Sequence, residues 1–316
     1  MRVKNIAKGL LAGFHDHKKQ QPDIFIFTLP RAGSTLITEI LNTDSHSKTV
    51  SEPFSLSSDN QKVLHKYFNS EFFSERYIDV NKDDFDKIID YLKVLSEGRT
   101  WNSFYWSDIL TKNHSLKTNR TVFKIHKLTY YYDDIMDQFK NDYGLYLLRH
   151  PVSHSLSRIR KGWSTYIDNY SNSEKIKVLL TSKAKSLIQE VNASNNDLEK
   201  FIVSWCLENL VFIINYQENK LSSNVFPVFY EDVVTDPENA IRNICSKIGM
   251  EYNVRMLEIL NIPSSGIIHS TNETKNQILS GNKSYLVNRW KDEVDSDFPD
   301  RYKFILKTFG IKIYLD

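Results

Sequence analysis

Arg31, Gly33, Ser34 and Thr35 stand within five positions of one another, directly behind the apolar run Phe25-Ile26-Phe27-Thr28. A hydrophobic strand that turns tightly into a helix leaves the first backbone N–H groups of that helix facing outward. The positive end of the helix dipole lies beside them and favours an anion. Gly33 lets the backbone approach a phosphate, Ser34 and Thr35 add hydroxyl donors, and Arg31 supplies charge. The plain alternative is a strand-to-helix turn capped by Ser34. The pattern GxxxxGK[ST] is absent, because the turn has one glycine and no lysine before Ser34. That counts against an ATP or GTP hydrolase with its phosphate-contacting lysine and magnesium.

A second segment has the same character. Tyr143-Gly144-Leu145-Tyr146-Leu147-Leu148 ends on Arg149, Pro151 can start a helix, and Ser157 follows eight residues after Arg149. An arginine at a strand end and a serine two turns into the next helix can converge on one phosphate, the first with a planar fork and the second with a hydroxyl. Lys124-Ile125-His126 closes another apolar run, and strand alternation puts Lys124 and His126 on one side. Glu52, in Val50-Ser51-Glu52-Pro53-Phe54, ends yet another. An imidazole that titrates near neutral pH is a suitable general base. A carboxylate is a second candidate if burial raises its pKa.

Three blocks in this order resemble the sulfotransferases that use 3′-phosphoadenosine 5′-phosphosulfate (PAPS). Leu29-Pro30-Arg31-Ala32-Gly33-Ser34-Thr35, running into Leu36, is similar to their 5′-phosphosulfate loop, and Arg149-His150-Pro151 with Ser157 to their 3′-phosphate motif. Phe229-Tyr230-Glu231-Asp232-Val233-Val234, then Asp236-Pro237 and Ile248-Gly249, resembles their tyrosine-glutamate-aspartate strand end and the helix behind it. The resemblance spans about Pro22 to Met250. It implies a P-loop nucleotide-hydrolase-like fold and PAPS as sulfuryl donor, with PAP (adenosine 3′,5′-bisphosphate) as product and no required metal. The acceptor would be a small molecule or a carbohydrate, taken at a hydroxyl or an amine. His126 corresponds to the base of the cytosolic members, and Glu52 to the Glu-Pro segment of the carbohydrate-modifying branch. Arg31 and Lys124 become charge stabilisers. Ala32, Gly33, Ser34, Thr35, Leu36, Arg149 and Ser157 become donor-binding residues, and Glu231 and Asp232 structural acids holding loops through backbone N–H groups. A basic loop over residues 270–292, which carries Lys275, Lys283, Arg289 and Lys291, is expected to close on the 3′-phosphate, with Lys283 and Arg289 as the candidates, although the family's Arg-Lys-Gly triplet is missing. Two other readings remain: a nucleotide-dependent kinase, and a non-catalytic nucleotide-binding protein.

These residues need a scaffold. Asp23–Thr28, Lys48–Ser51, Thr121–Ile125, Gly144–Leu148 and Val225–Tyr230 are near-continuous apolar runs, as a parallel sheet covered on both faces requires. Ser34–Leu41, Asp83–Ser96, Asp197–Tyr216 and Ala240–Ile248 have helical spacing. The alternation predicts a three-layer α/β fold with a mostly parallel central sheet flanked by helices. Leu179–Asn196 is expected to be a lid or loop.

With 316 residues, no repeat and no Gly/Ser linker, the chain is expected to be one domain behind a 20-residue N-terminal extension. A formal charge of +2, from 41 basic and 39 acidic residues, argues against a nucleic-acid coat but leaves room for a local basic pocket. Eighteen Phe, 17 Tyr and five Trp argue against disorder. Cys206 and Cys245 sit in no CxxC or Cys/His cluster, so neither a disulfide framework nor a zinc site is expected, and a reducing, cytoplasmic setting fits. His150 and His154 are taken as non-ligands. No apolar stretch is long enough to span a membrane, so stable insertion is not expected. Trp101, Phe104, Tyr105 and Trp106, with Tyr130, Tyr131 and Tyr132, form aromatic groups suited either to an acceptor pocket or to the core.

Overall fold

The computed structural model describes residues 16–55, 64–68, 79–98, 117–263 and 272–315. Trp101, Phe104, Tyr105 and Trp106 lie outside them. Five parallel strands form the central sheet: β1 (Ile24–Thr28), β2 (Ser47–Ser51), β3 (Arg120–Ile125), β4 (Tyr143–Leu148) and β5 (Val225–Phe229), in the order β2-β3-β1-β4-β5. All five were expected, to within a residue or so at each end. β1 is central, pairing with β3 on one side and β4 on the other. Pro227 is tolerated because β5 is an edge strand, where a missing N–H need not break the ladder.

Alternation along the strands builds two cores. Phe25, Phe27, Phe123 and Ile125 face one side, where they meet α2 (Lys82–Ser96), α3 (Tyr132–Gln138), α4 (Pro151–Ile159) and α5 (Asp197–Gln217). Ile24, Ile26 and Val122 face the other, against α1 (Ser34–Leu41) and the helix Pro237–Lys247. The three-layer α/β arrangement with helices on both faces is as expected. Tyr131 and Tyr132 are core residues, and Tyr132 packs edge-on against Tyr146 and Phe212.

Two expectations fail. The segment Leu179–Asn196 is not a loop: Ser182–Ala193 is a helix, capped by the Thr181 side chain on the Ala184 N–H. Its Ala184, Leu187, Ile188 and Val191 form a buried i, i+3, i+4, i+7 stripe, which outweighs the polar residues at its end. The segment 270–292 is likewise helical where described, as Asn272–Leu279, Lys283–Asn288 and the 3₁₀ turn Arg289–Asp292. The Asn282 side chain caps the second of these on the Tyr285 N–H. Among the described residues no helix is long and apolar enough to cross a membrane.

Candidate active site

The carboxyl edge of a parallel sheet is where its loops can converge on a ligand. Here β1 runs into Leu29-Pro30-Arg31-Ala32-Gly33 and then α1. The turn is tight because Arg31 and Gly33 both take positive φ, 79° and 101°. Glycine accepts this freely, but an arginine held there costs about 1–2 kcal/mol. A side chain at Gly33 would also overlap the ring of Tyr230, which packs directly against the turn. Gly33 is the N-cap of α1 and no side chain caps the helix, so its leading N–H groups are left to another partner. Ser34 is buried, and Thr35 and Leu36 are half-buried. His154, fully buried and held neutral by burial and by Arg158 and Arg149, contacts the Pro30 carbonyl at 3.0 Å through Nε2 and so braces the turn from behind.

The second motif meets the first. Arg149, just past β4, donates through Nη1 to the Arg31 carbonyl at 3.0 Å, and its guanidinium lies 4.7 Å from the centre of the Tyr230 ring. Arg31 in turn donates through Nε to Ser157 Oγ at 3.1 Å. Residues 126 positions apart in sequence are therefore bonded, and the glycine turn and the Arg–Ser pair form one site.

Positive charge accumulates there. Burial, followed by Arg149, Arg160 and Arg289, lowers the Arg31 pKa; burial and Arg160 lower that of Arg289, which Glu293 partly offsets. Glu293 is the acid within this group, paired with Arg160 and with Arg289 Nε at 3.5 Å. The Arg149 Nε is buried with no hydrogen-bond partner. Four mutually close guanidiniums, two of them paired with Glu293, and an unsatisfied donor suit a multiply charged anion, so the residues present fit a nucleotide phosphate.

Two members of this group were missed from the sequence. Arg160 lies in an ordinary basic run, and Glu293 carries no motif. Lys283 stands half-buried at the start of its helix, six residues before Arg289. Trp290 is buried and stacks on His150, with ring centres 4.5 Å apart, anchoring the C-terminal segment that carries Arg289. Glu231 holds a loop as expected: it accepts from the His150 backbone N–H at 2.9 Å and from the Tyr314 hydroxyl at 3.0 Å. Asp232 is exposed instead. Arg158 is used internally, in a 2.6 Å buried pair with Glu208.

Beside the turn lies a chain of polar groups. Ser34 Oγ is 3.1 Å from His126 Nε2, and His126 Nδ1 is 3.4 Å from Glu52 Oε1. Lys124 Nζ reaches the same oxygen at 3.2 Å. Glu52 also carries a positive φ of 50° and donates its N–H to the Lys124 carbonyl at 2.8 Å, which fixes β2 to β3 at this point. Burial raises the Glu52 pKa, but His126, Lys124 and Lys127 outweigh it and hold the carboxyl below its usual range. The sequence-based condition for Glu52 as a base, a pKa raised by burial, is therefore not met. Its cationic neighbours, brought in by β3, reverse the sign.

A family model for the sulfotransferase family matches residues 22–254, which takes in the glycine turn, His126, Arg149, Ser157 and Glu231. The chain belongs to the sulfotransferase family. The match stops short of Lys283, Arg289 and Glu293. Similar solved structures include the sulfotransferase domain of the Synechococcus PCC 7002 olefin synthase, at 17% identity and a TM-score of 0.42 over 94% of this chain and 98% of that one. The sulfotransferase domain of the curacin biosynthetic pathway has 17% identity and a TM-score of 0.43 over 93% and 99%. Mouse sulfotransferase SULT7A1 complexed with PAP has 12% identity and a TM-score of 0.42 over 97% and 89%. No curated protein matches the chain.

Proposed function

We propose that this sulfotransferase moves the sulfuryl group of PAPS to a hydroxyl of a small-molecule or carbohydrate acceptor, with His126 as general base. The observation that carries this reading is the bonded path Arg149–Arg31–Ser157, which joins the two phosphate motifs into a single anion site next to His126. Arg149, Ser157, Arg160 and Arg289 would hold the 3′-phosphate, and the N-terminus of α1 with Arg31 the 5′-phosphosulfate.

His126 takes the acceptor proton on Nε2 as the acceptor oxygen bonds to sulfur. The bond from sulfur to the bridging phosphate oxygen breaks, and its electron pair stays on the phosphate. Lys124 and Arg31 offset the charge that builds there. Glu52, ionised at neutral pH, orients the imidazole and stabilises the cation it becomes. A kinase is less well supported, because the turn has no lysine ahead of Ser34. The site gathers at the carboxyl edge of one sheet, from strand ends and from helices packed on it, which supports a single catalytic domain. Two free, buried cysteines fit a cytoplasmic setting.

Thermal unfolding tests the donor. At one hundred times its Kd, adenosine 3′,5′-bisphosphate should stabilise the chain by about 2.7 kcal/mol, and 5′-AMP clearly less. Equal effects of the two nucleotides overturn the proposal. Once labelled donor has revealed an acceptor, His126→Ala should lower turnover about 10²–10⁴-fold.

A further inference from the structure

The Ser34 hydroxyl carries one proton and has two claimants. It lies 3.1 Å from His126 Nε2, and it is also the first residue of α1, whose uncapped N-terminus is the place prepared for an anion. On the other side of the ring, Nδ1 faces the ionised Glu52 carboxylate at 3.4 Å. A carboxylate only accepts, so the neutral imidazole keeps its proton on Nδ1 and presents a bare lone pair at Nε2. The Ser34 hydroxyl therefore donates to the nitrogen that, on the reading above, must receive the acceptor's proton. A hydroxyl can donate to only one partner at a time.

We propose that Ser34 is a two-position donor that makes the base available only after an anion has bound. Without nucleotide the hydroxyl covers His126 Nε2. When the 5′ anion settles on the N-terminus of α1, the hydroxyl turns to the more strongly accepting oxygen and releases Nε2 to the acceptor. The consequence is an order of binding, donor before acceptor. This inference rests on His126 being the base. Glu52 and Lys124 also stand at the ring, with Lys127 close to Glu52; the carboxylate cannot donate to Nε2, and the Lys124 ammonium reaches Glu52 at 3.2 Å. Ser34 acts here through His126 and is a positioning residue in this step.

The test is the ¹⁵N resonance of His126 Nε2 in histidine-labelled protein, at a pH where the imidazole stays neutral, assigned by its loss in His126→Gln. In the free wild type it should show an accepted hydrogen bond, which adenosine 3′,5′-bisphosphate removes. Ser34→Ala should show the released position without nucleotide and no further change with it. Ser34→Thr, which keeps the hydroxyl and guards against a folding defect, should behave as wild type. By calorimetry, Ser34→Ala should bind the bisphosphate about tenfold more weakly and Ser34→Thr within threefold or so. Nucleotide that binds without moving the Nε2 resonance overturns the two-position role alone. Failure of the bisphosphate to bind overturns the parent reading and this role with it.

Discussion

The two ends of the sheet are built from the same kinds of side chain and end in opposite states. At the amino edge, Asp23 is fully buried just before β1 and accepts from the Thr121 N–H at 2.6 Å and from Ser96 Oγ. Asp142, just before β4, accepts from the Asp23 N–H at 2.7 Å. Lys19 reaches Asp23 at 3.0 Å and Asp142 at 2.9 Å, and Lys48 donates to the Leu95 carbonyl at 2.8 Å. These two carboxylates bind backbone N–H groups and Lys19, and Asp23 also acts on Lys48 and on the buried guanidinium of Arg120. At the carboxyl edge, Arg160 and Arg289 pair with Glu293, Arg149 acts on the buried Glu231, and the Arg149 Nε has no hydrogen-bond partner. Acids that accept from backbone N–H groups tie the strands together, whereas guanidiniums that outnumber their acids can receive an anion from outside.

If this contrast is right, the edges should respond to mutation in opposite ways. The largest effect belongs to the amino edge: Asp23→Ala leaves the Thr121 N–H and the Ser96 hydroxyl without their acceptor and Lys19 with Asp142 alone, and should cost about 3–5 kcal/mol in urea unfolding. The affinity of the molecules that still fold for adenosine 3′,5′-bisphosphate should stay the same. Arg149→Ala should do the reverse, weakening the bisphosphate about a hundredfold by calorimetry while unfolding stability stays within about 1 kcal/mol. A loss of stability rather than affinity at Arg149 would break the comparison.

Acid sharpens it. Burial, then Arg149, Lys291 and Lys303, hold His150 down to about 3; burial and Lys48 hold His17 down to about 4, against a hydrogen bond from its Nε2 to the Ser96 carbonyl that raises it. The unfolded chain takes up protons near pH 6.5 that these folded sites refuse, so stability should fall as pH drops from about 6.5 towards 3–4. His17→Gln and His150→Gln should each flatten that fall in urea midpoints measured against pH.

The smallest effect concerns Lys48, which burial and Lys19, against the pull of Asp23, hold down to about 7. The unfolded chain holds that proton up to the ordinary lysine range, so stability should rise with pH above 7. Lys48→Met should flatten the rise while changing stability at neutral pH by less than about 1 kcal/mol.

Much of this was legible in the sequence because it is local. Near-continuous apolar runs mark strands covered on both faces, a glycine followed by hydroxyl residues marks the start of α1, and Arg149 with Ser157 marks a strand end and the helix behind it. The stripe in Ser182–Ala193 was equally local and was obscured only by the polar residues that follow it. Arg160, by contrast, could not be told from its basic neighbour Arg158, because only packing sends one to Glu293 and buries the other against Glu208.

By itself the amino-acid order determined the five strands, the strand-turn-helix that can hold a phosphate, and the strand-end Lys124-x-His126 pair. Only the tertiary structure decided that the two phosphate motifs touch, that Arg160, Arg289 and Glu293 join them, and that the Glu52 carboxyl is held ionised rather than raised. The reason is physical. Periodicity and turn chemistry act between residues a few positions apart, whereas a charge acquires its meaning from burial and from neighbours that strand order delivers from a hundred residues away.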